Sequence, residues 1–449
     1  MTHSNVVATR VVSTLVLFAS VFLVSCGSED GFETAPTPPR GFLRMVNAVP
    51  DSPALRFIVE EREEATLRFG EASQFAGVLP DVPLDFSVTY FDDGTSVQLI
   101  TDQFAIAPDG DFTAVVTGTL DSPRLILIDN SPVDFADDTN ESEIQFAHAA
   151  ANGPDSVDIF VSEQSEPNSV LGFGEATAVQ TLSANVEAEI NVHSPGETEA
   201  LWSSGPFAFS AATRQLLLLV DYFGPGDTPV RMLAIGQNGA RPFPEEDLPA
   251  ALRVANMIPD RGPLDVTVDS NLVAENIDFT DVTDHIELTS GELPIRVTPT
   301  GQPDTIVFEG DSEVVTGQFQ TLTVAGLDTD TEVSVSEDNA RRLSLGATIS
   351  VSHSSPGVED ETLDVYLLEQ GQEVTDTRPD LSLNFLVTGT VLVDPGSFDL
   401  VVTTSGTDDI IFGPQRIDLV RNGIFKVFIH DTPGGGTPVQ ITLGDDFVN

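Results

Sequence analysis

The sequence predicts an all-β protein of four tandem β-sandwich domains, immunoglobulin-like or transthyretin-like in topology. Three observations carry this expectation. Apolar and polar residues alternate with period two in short segments, as at 264–268 and 348–352, which places successive side chains on opposite faces of a strand. Turn-forming clusters punctuate the alternation, among them Asp92-Asp93-Gly94, Pro108-Asp109-Gly110-Asp111, Pro225-Gly226-Asp227 and Pro433-Gly434-Gly435-Gly436; such residues favour tight turns. One pattern also recurs four times at intervals of about 100 residues, a domain-sized repeat.

In each copy a short apolar strand ends in Asn or His, a proline-bearing turn follows, and a second strand returns. The first copy reads Leu43-Arg44-Met45-Val46-Asn47, then Pro50-Asp51-Ser52-Pro53, then Leu55-Arg56-Phe57-Ile58-Val59. The second runs from Ile144 to His148, turns at Pro154-Asp155 and continues at Val157-Asp158-Ile159-Phe160-Val161. The third runs from Leu252 to Asn256, turns at Pro259-Asp260 and Pro263, and continues at Leu264 to Val268. The fourth runs from Ile349 to His353, turns at Pro356 and continues at Leu363 to Leu367. Further landmarks keep the step: a phenylalanine at Phe69, Phe173, Phe279 and Phe385, then alternating strands around Val88, Val192, Val297 and Val402. No antibody-type cysteine pair is possible, so neither sandwich topology is favoured. The expected boundaries are 41–132, 141–240, 249–338 and 345–447, with the four domains following one another in a row.

Composition removes several function classes. The 449 residues carry 71 acidic and 19 basic side chains, a formal net charge of −52. Such a surface repels phosphate backbones, so nucleic-acid binding is excluded. Lys426 is the only lysine, and it stands between Phe425 and Val427, so no P-loop exists and lysine Schiff-base chemistry has a single candidate. Cys26 is the only cysteine, which excludes intramolecular disulfides and cysteine-based zinc sites.

The N-terminus reads as an address. Residues 11–24 are mostly apolar, too short for a transmembrane helix of about 20 residues but suited to a secretory signal. The run ends in Leu23-Val24-Ser25-Cys26-Gly27, which resembles a bacterial lipobox with the sole cysteine at the position that needs a thiol. The resemblance implies that 1–25 is a cleaved lipoprotein signal peptide and that Cys26 is acylated and held in a lipid bilayer. Gly27, where inner-membrane lipoproteins often carry aspartate, implies the outer membrane. Residues 26–40 would be the acylated cysteine and a polar, proline-rich tether.

The stretch from the Asn/His anchor through Pro-Asp to Leu-Asp-Val, with Phe69-Gly70-Glu71-Ala72 and Phe173-Gly174-Glu175-Ala176, is similar to domain of unknown function 4397. That resemblance implies a β-rich module, single or in tandem, in bacterial exported and cell-wall proteins. Copy one departs from it with Arg56 where the family has aspartate, and copy four lengthens the turn. The family has no established activity.

Candidate chemistry is sparse. His148 and His353 invite a metal or general-base role, yet Asn47 and Asn256 stand at the equivalent positions. Asn and His share the capacity to hydrogen-bond a turn, whereas Asn is a poor base, so the expected role is turn stabilisation. His193, His285 and His430 each stand alone in sequence. Ser352, Ser354 and Ser355 flank His353, but no nucleophile-elbow motif is present. Acidic turns at Asp92-Asp93, Asp109 with Asp111, Asp137-Asp138, Asp328 with Asp330 and Glu332, and Glu359-Asp360-Glu361 could offer oxygen ligands to calcium, but none forms an EF-hand loop. A solvated acidic surface explains them. Trp202 and the three tyrosines are too few to signal a sugar platform, although 202–205 could form an exposed loop. No catalytic residue, cofactor or metal set is indicated. The expectation is a non-enzymatic envelope lipoprotein with a structural or interaction role. The alternatives are a surface module for calcium, glycans or matrix polymers and, more remotely, a secreted hydrolase.

Overall fold

The first repeat shows how the alternation becomes a sandwich. The computed structural model describes residues 39–131, 135–162, 166–236, 238–246, 248–327 and 330–444; the expected signal peptide and Cys26 lie outside them. Repeat one forms β1 (Gly41–Asn47), β2 (Leu55–Val59), β3 (Arg62–Leu67), β4 (Ala76–Val78), β5 (Leu84–Asp92), β6 (Thr95–Phe104), β7 (Asp111–Thr119) and β8 (Ser122–Asp129). In β2 the inward positions Leu55, Phe57 and Val59 are buried and the intervening Arg56 and Ile58 are only half-buried. Leu84, Phe86 and Val88 of the neighbouring strand β5 lie beside them in the same core, and Leu43 and Met45 of β1 face them from the opposite sheet. Each such side chain contributes about 1.5–3 kcal/mol when fully buried.

The strands pair as β4-β1-β7-β8 in one sheet and β3-β2-β5-β6 in the other. β1 and β7 run parallel, with Asn47 opposite Val116. An immunoglobulin sandwich places its first strand beside its second; here the first strand lies between the fourth and the seventh. That is the transthyretin-like arrangement, and it decides between the two topologies the sequence leaves open.

The other repeats follow the same order. In repeat two Glu141–His148 lies parallel to Arg214–Asp221, and the sheet gains a fifth strand at Gly239–Pro242. In repeats three and four the parallel pairs are Ala250–Asn256 with Phe319–Leu327 and Ala347–His353 with Ile424–His430. Among the described residues the helical segments are two short 3₁₀ turns, Pro356–Val358 and Val374–Asp376, both in repeat four. The first of them accommodates the lengthened turn after His353. Trp202 is not on an exposed loop. It lies in the strand Ala200–Ser203, only 4% exposed, and joins the core of repeat two.

The expected simple row of domains does not hold. β1 is buried on both faces. Leu43 and Met45 enter the sandwich core, while Val46 and Ala48 point outward into a second apolar cluster. That cluster joins Val115, Ile126 and Ile128 of repeat one to Ala147, Leu216, Leu218 and Leu233 of repeat two. The two sandwiches therefore pack sheet against sheet. Repeats three and four do the same through Ala255, Met257, Ala325 and Phe428. The two pairs also touch. The backbone N–H of Ser344 donates to the Asp51 carbonyl at 2.9 Å, Arg341 Nη2 donates to the Ser52 carbonyl at 2.7 Å, and the Tyr222 hydroxyl donates to the Gly317 carbonyl at 3.1 Å. Burying one outer face of each sandwich against its neighbour removes apolar area that a row would leave in water.

Candidate functional site

The recurring Asn/His position sits at the end of the first strand of each repeat, where the chain turns toward the second. Asn47 is fully buried. Its Oδ1 accepts from the Val49 N–H at 3.0 Å, and its Nδ2 donates to the Leu67 carbonyl at 3.0 Å. Asn256 repeats this with the Ile258 N–H at 3.1 Å and the Ile277 carbonyl at 3.0 Å. In His148 the ring substitutes for the amide: Nδ1 accepts from the Ala150 N–H at 3.3 Å and Nε2 donates to the Pro154 carbonyl at 2.8 Å. His353 Nδ1 accepts from the Ser355 N–H at 3.3 Å. The Nδ1 of His and the Oδ1 of Asn hang one bond beyond Cγ, so either meets the same backbone N–H two residues on.

These bonds decide what the histidines can do. Each ring has its Nδ1 lone pair committed to the backbone, so the neutral ring carries its proton on Nε2 and keeps no free acceptor. Burial lowers the His148 pKa, against the pull of the Pro154 carbonyl and Asp155. Burial takes His353 down to about 4, against the backbone of Val358 and Glu361 and the Asp431 carboxylate. Ser355 Oγ donates to Asp431 and Ser352 Oγ pairs with Thr388 Oγ1 at 2.6 Å, so neither hydroxyl is bonded to the His353 ring.

A second position alternates with the first. Two residues beyond the partner of each anchor, repeats two and four carry Asp221 and Asp431, while repeats one and three carry Gly118 and Gly326. Asp221 accepts the N–H groups of Ala151 at 2.9 Å and Asn152 at 2.7 Å. Asp431 accepts those of Gly357 at 2.9 Å and Gly436 at 3.2 Å. The glycines have φ of +84° and +107°, and a Cβ on them would lie 2.2 and 2.3 Å from the Ser122 and Asp330 carbonyl oxygens. Asn goes with Gly, and His with Asp. The landmark phenylalanines bridge the pairs: Phe69 meets Phe223 of repeat two at 5.7 Å, and Phe279 meets His430 of repeat four at 5.1 Å.

The densest charge lies between repeats three and four. Asp338 is 8% exposed. Its Oδ1 accepts from Lys426 Nζ at 2.9 Å. Its Oδ2 lies 3.1 Å from His285 Nε2 and 3.1 Å from Arg253 Nη2, and accepts from the Thr321 hydroxyl. Lys426 also donates to Ser336 Oγ at 2.9 Å. Burial pushes the Asp338 carboxyl up, but His285, Lys426, Arg253 and Thr321 outweigh it and hold it well below the usual carboxylate range. Burial in turn lowers Lys426, against the pull of Asp338. The equivalent network in the first pair is mostly neutral: Arg44 Nε donates to Thr113 Oγ1 at 3.2 Å, Thr113 bonds Asn130, and Asn130 Nδ2 donates to Gln145 Oε1 at 3.1 Å.

His285 therefore does not stand alone. Its partner Asp338 lies 53 residues away, a separation that no local pattern reveals. The lone lysine was the one available signal, and its ammonium is held by a carboxylate and a hydroxyl. Trp202 Nε1 donates to Glu245 Oε1 at 2.8 Å with its ring in the core, which leaves no exposed face for a sugar. Among the described residues no three His, Cys, Asp or Glu side chains converge as a metal site requires, the acidic turns included; Asp328 lies outside them. No described helix is long and apolar enough to cross a membrane.

Fold and buried contacts together define a class: tandem transthyretin-like sandwiches fastened face to face in pairs, with their recurring polar residues holding turns and repeat interfaces. Two stretches, 41–159 and 250–366, match the family model described as Domain of unknown function (DUF4397). The chain belongs to that family, in tandem. Each match starts in an Asn-anchored repeat and runs into the His-anchored repeat after it. No curated protein matches the sequence. Among solved structures the Bacillus anthracis TIE protein is similar at 10% identity and a TM-score of 0.16, with 91% of this chain and 76% of that one covered. A putative cell adhesion protein from Bacteroides uniformis is similar at 11% identity and a TM-score of 0.19, covering 46% of this chain and 99% of that one. At these values neither carries an argument about activity.

Asp338→Asn should lower the urea midpoint at pH 7, because breaking a buried ion pair on one side costs about 3–5 kcal/mol. The folded Asp338 pKa lies below its ordinary 3.8. The wild-type advantage is therefore present above that value and shrinks as pH falls through and below it. His353→Asn should fold, since Asn47 and Asn256 do the same work. Wild type should lose stability as pH falls from 6.5 toward about 4, because the folded ring resists protonation; thermal melts of the variant should show a shallower slope, the part due to His148 and His430 remaining.

Proposed function

We propose that this protein is a non-enzymatic lipoprotein of the bacterial cell envelope, anchored in the outer membrane through acylated Cys26. It would act as a structural or interaction module presenting two pairs of sandwiches. One observation supports the anchor most directly: the only thiol in 449 residues falls at the acylation position of a lipobox, at the end of an apolar run. Acyl chains contribute about 0.8 kcal/mol per buried methylene, and two or more give durable attachment. The non-enzymatic part draws support from membership of a family of unknown function and from the buried chemistry. The histidines at the anchors have no free lone pair, Ser355 serves Asp431, and Lys426 is paired with Asp338. Partners would meet the outward sheets and their edge strands, where chain addition supplies main-chain hydrogen bonds.

Cys26→Ser should abolish incorporation of labelled palmitate and move the protein from the membrane pellet to the soluble fraction; a variant that still pellets without label would sink the reading. Protease shaving of intact cells, with a periplasmic control, assigns the side. Loss of the protein with the control intact places the sandwiches outside and directs attention to adhesion or matrix partners. Protection until the outer membrane is permeabilised places them in the periplasm.

A further inference from the structure

We propose that the end of the first sandwich nearest the anchor lies on the bilayer itself, through Arg40, Phe42, Leu79 and Val82. This rests on acylation of Cys26. The register of β1 with β4 sets Gly41 opposite Val78 and Phe42 opposite Gly77. Continuing it brings Arg40 opposite Leu79, so Arg40, Phe42, Gly77 and Leu79 share one face of the sheet. The Arg40 guanidinium lies 3.6 Å from where a Cβ on Gly77 would stand, and the Phe42 ring 4.0 Å from it. Leu79 is 71% exposed, Val82 in the same turn 47%, and Phe42 36%. A cation beside exposed aliphatic and aromatic side chains matches a membrane interface, where guanidinium meets phosphate and the apolar groups enter the acyl boundary.

The position of the chain selects the occupant. The strand that carries Phe42 begins at Gly41, fourteen residues after Cys26 counting Gly41 out. Fully extended, such a segment reaches at most about 50 Å. A tether that short keeps the patch at an effective concentration on the order of millimolar relative to the lipid surface, so a small patch is enough. Asp81, Asp109 and Asp111 lie around the same end. They disfavour an anionic leaflet and favour a zwitterionic one.

The test uses the buried Trp202 as an internal reference. The acylated full chain carrying Leu79→Trp is reconstituted in phosphatidylcholine vesicles with brominated acyl chains. Thr95→Trp, at the far end of the β5–β6 hairpin where Asp92 meets Thr95, is its counterpart. Loss of emission from the indole at position 79, with little change at position 95, supports the contact. Adding Phe42→Asp and Val82→Asp should restore the emission without releasing the protein from the vesicles. Unquenched emission from an acylated, vesicle-bound Leu79→Trp chain overturns the contact and leaves the anchor standing, and so does equal quenching at both positions. Absence of an acyl chain on Cys26 overturns both.

Discussion

The parallel strand pair at the centre of each repeat is buried on both faces, and the rest of the molecule follows from that. Parallel pairs are stable where both sides are covered, and they read as near-continuous apolar runs. Leu216 to Val220 is such a run, with every residue buried. One face lines the core of its own sandwich. The other must find a cover, and the adjacent repeat supplies it. Pairing is thus built into the strands that also define the topology.

Placing polar groups in that second interface requires that each be matched. The first pair solves this with an arginine and neutral partners, Thr113, Asn130 and Gln145. The second pair puts Asp338 where the first has Asn130 and surrounds it with Arg253, His285 and Lys426. A buried ion pair of this kind is weak evidence for net stability, because desolvation offsets much of the attraction. Its stronger consequence is register: a misaligned pair would leave charge buried without a partner. In an acidic chain with 19 basic residues, placing two of them beside one carboxylate fixes how repeats three and four meet.

Much of this was legible in the sequence, and the division is physical. Local pattern reports local geometry. The period-two alternation of Leu55 to Val59 gave the strand, and the interchange of Asn47 with His148 gave the turn-holding role, because both bond the backbone two residues ahead. Strand order was not legible, since nothing in β1 says that its neighbours are β4 and β7. The second burial face was hidden in plain view, for Val46 and Ala48 look like ordinary strand residues until a partner sheet is present. The Lys426–Asp338 contact spans 88 residues, and with 71 acids any of them was an equal candidate from sequence alone.

The alternation of Gly118 and Gly326 with Asp221 and Asp431 has a consequence for parity. Odd and even repeats are different parts: the even ones hold their own turns with an aspartate, the odd ones leave a glycine there, and each covers the other's outer sheet. Two of them cover each other's outer apolar sheet, which a single repeat would leave bare. The loss of one repeat from either couple would therefore leave the outer apolar sheet of its partner facing water.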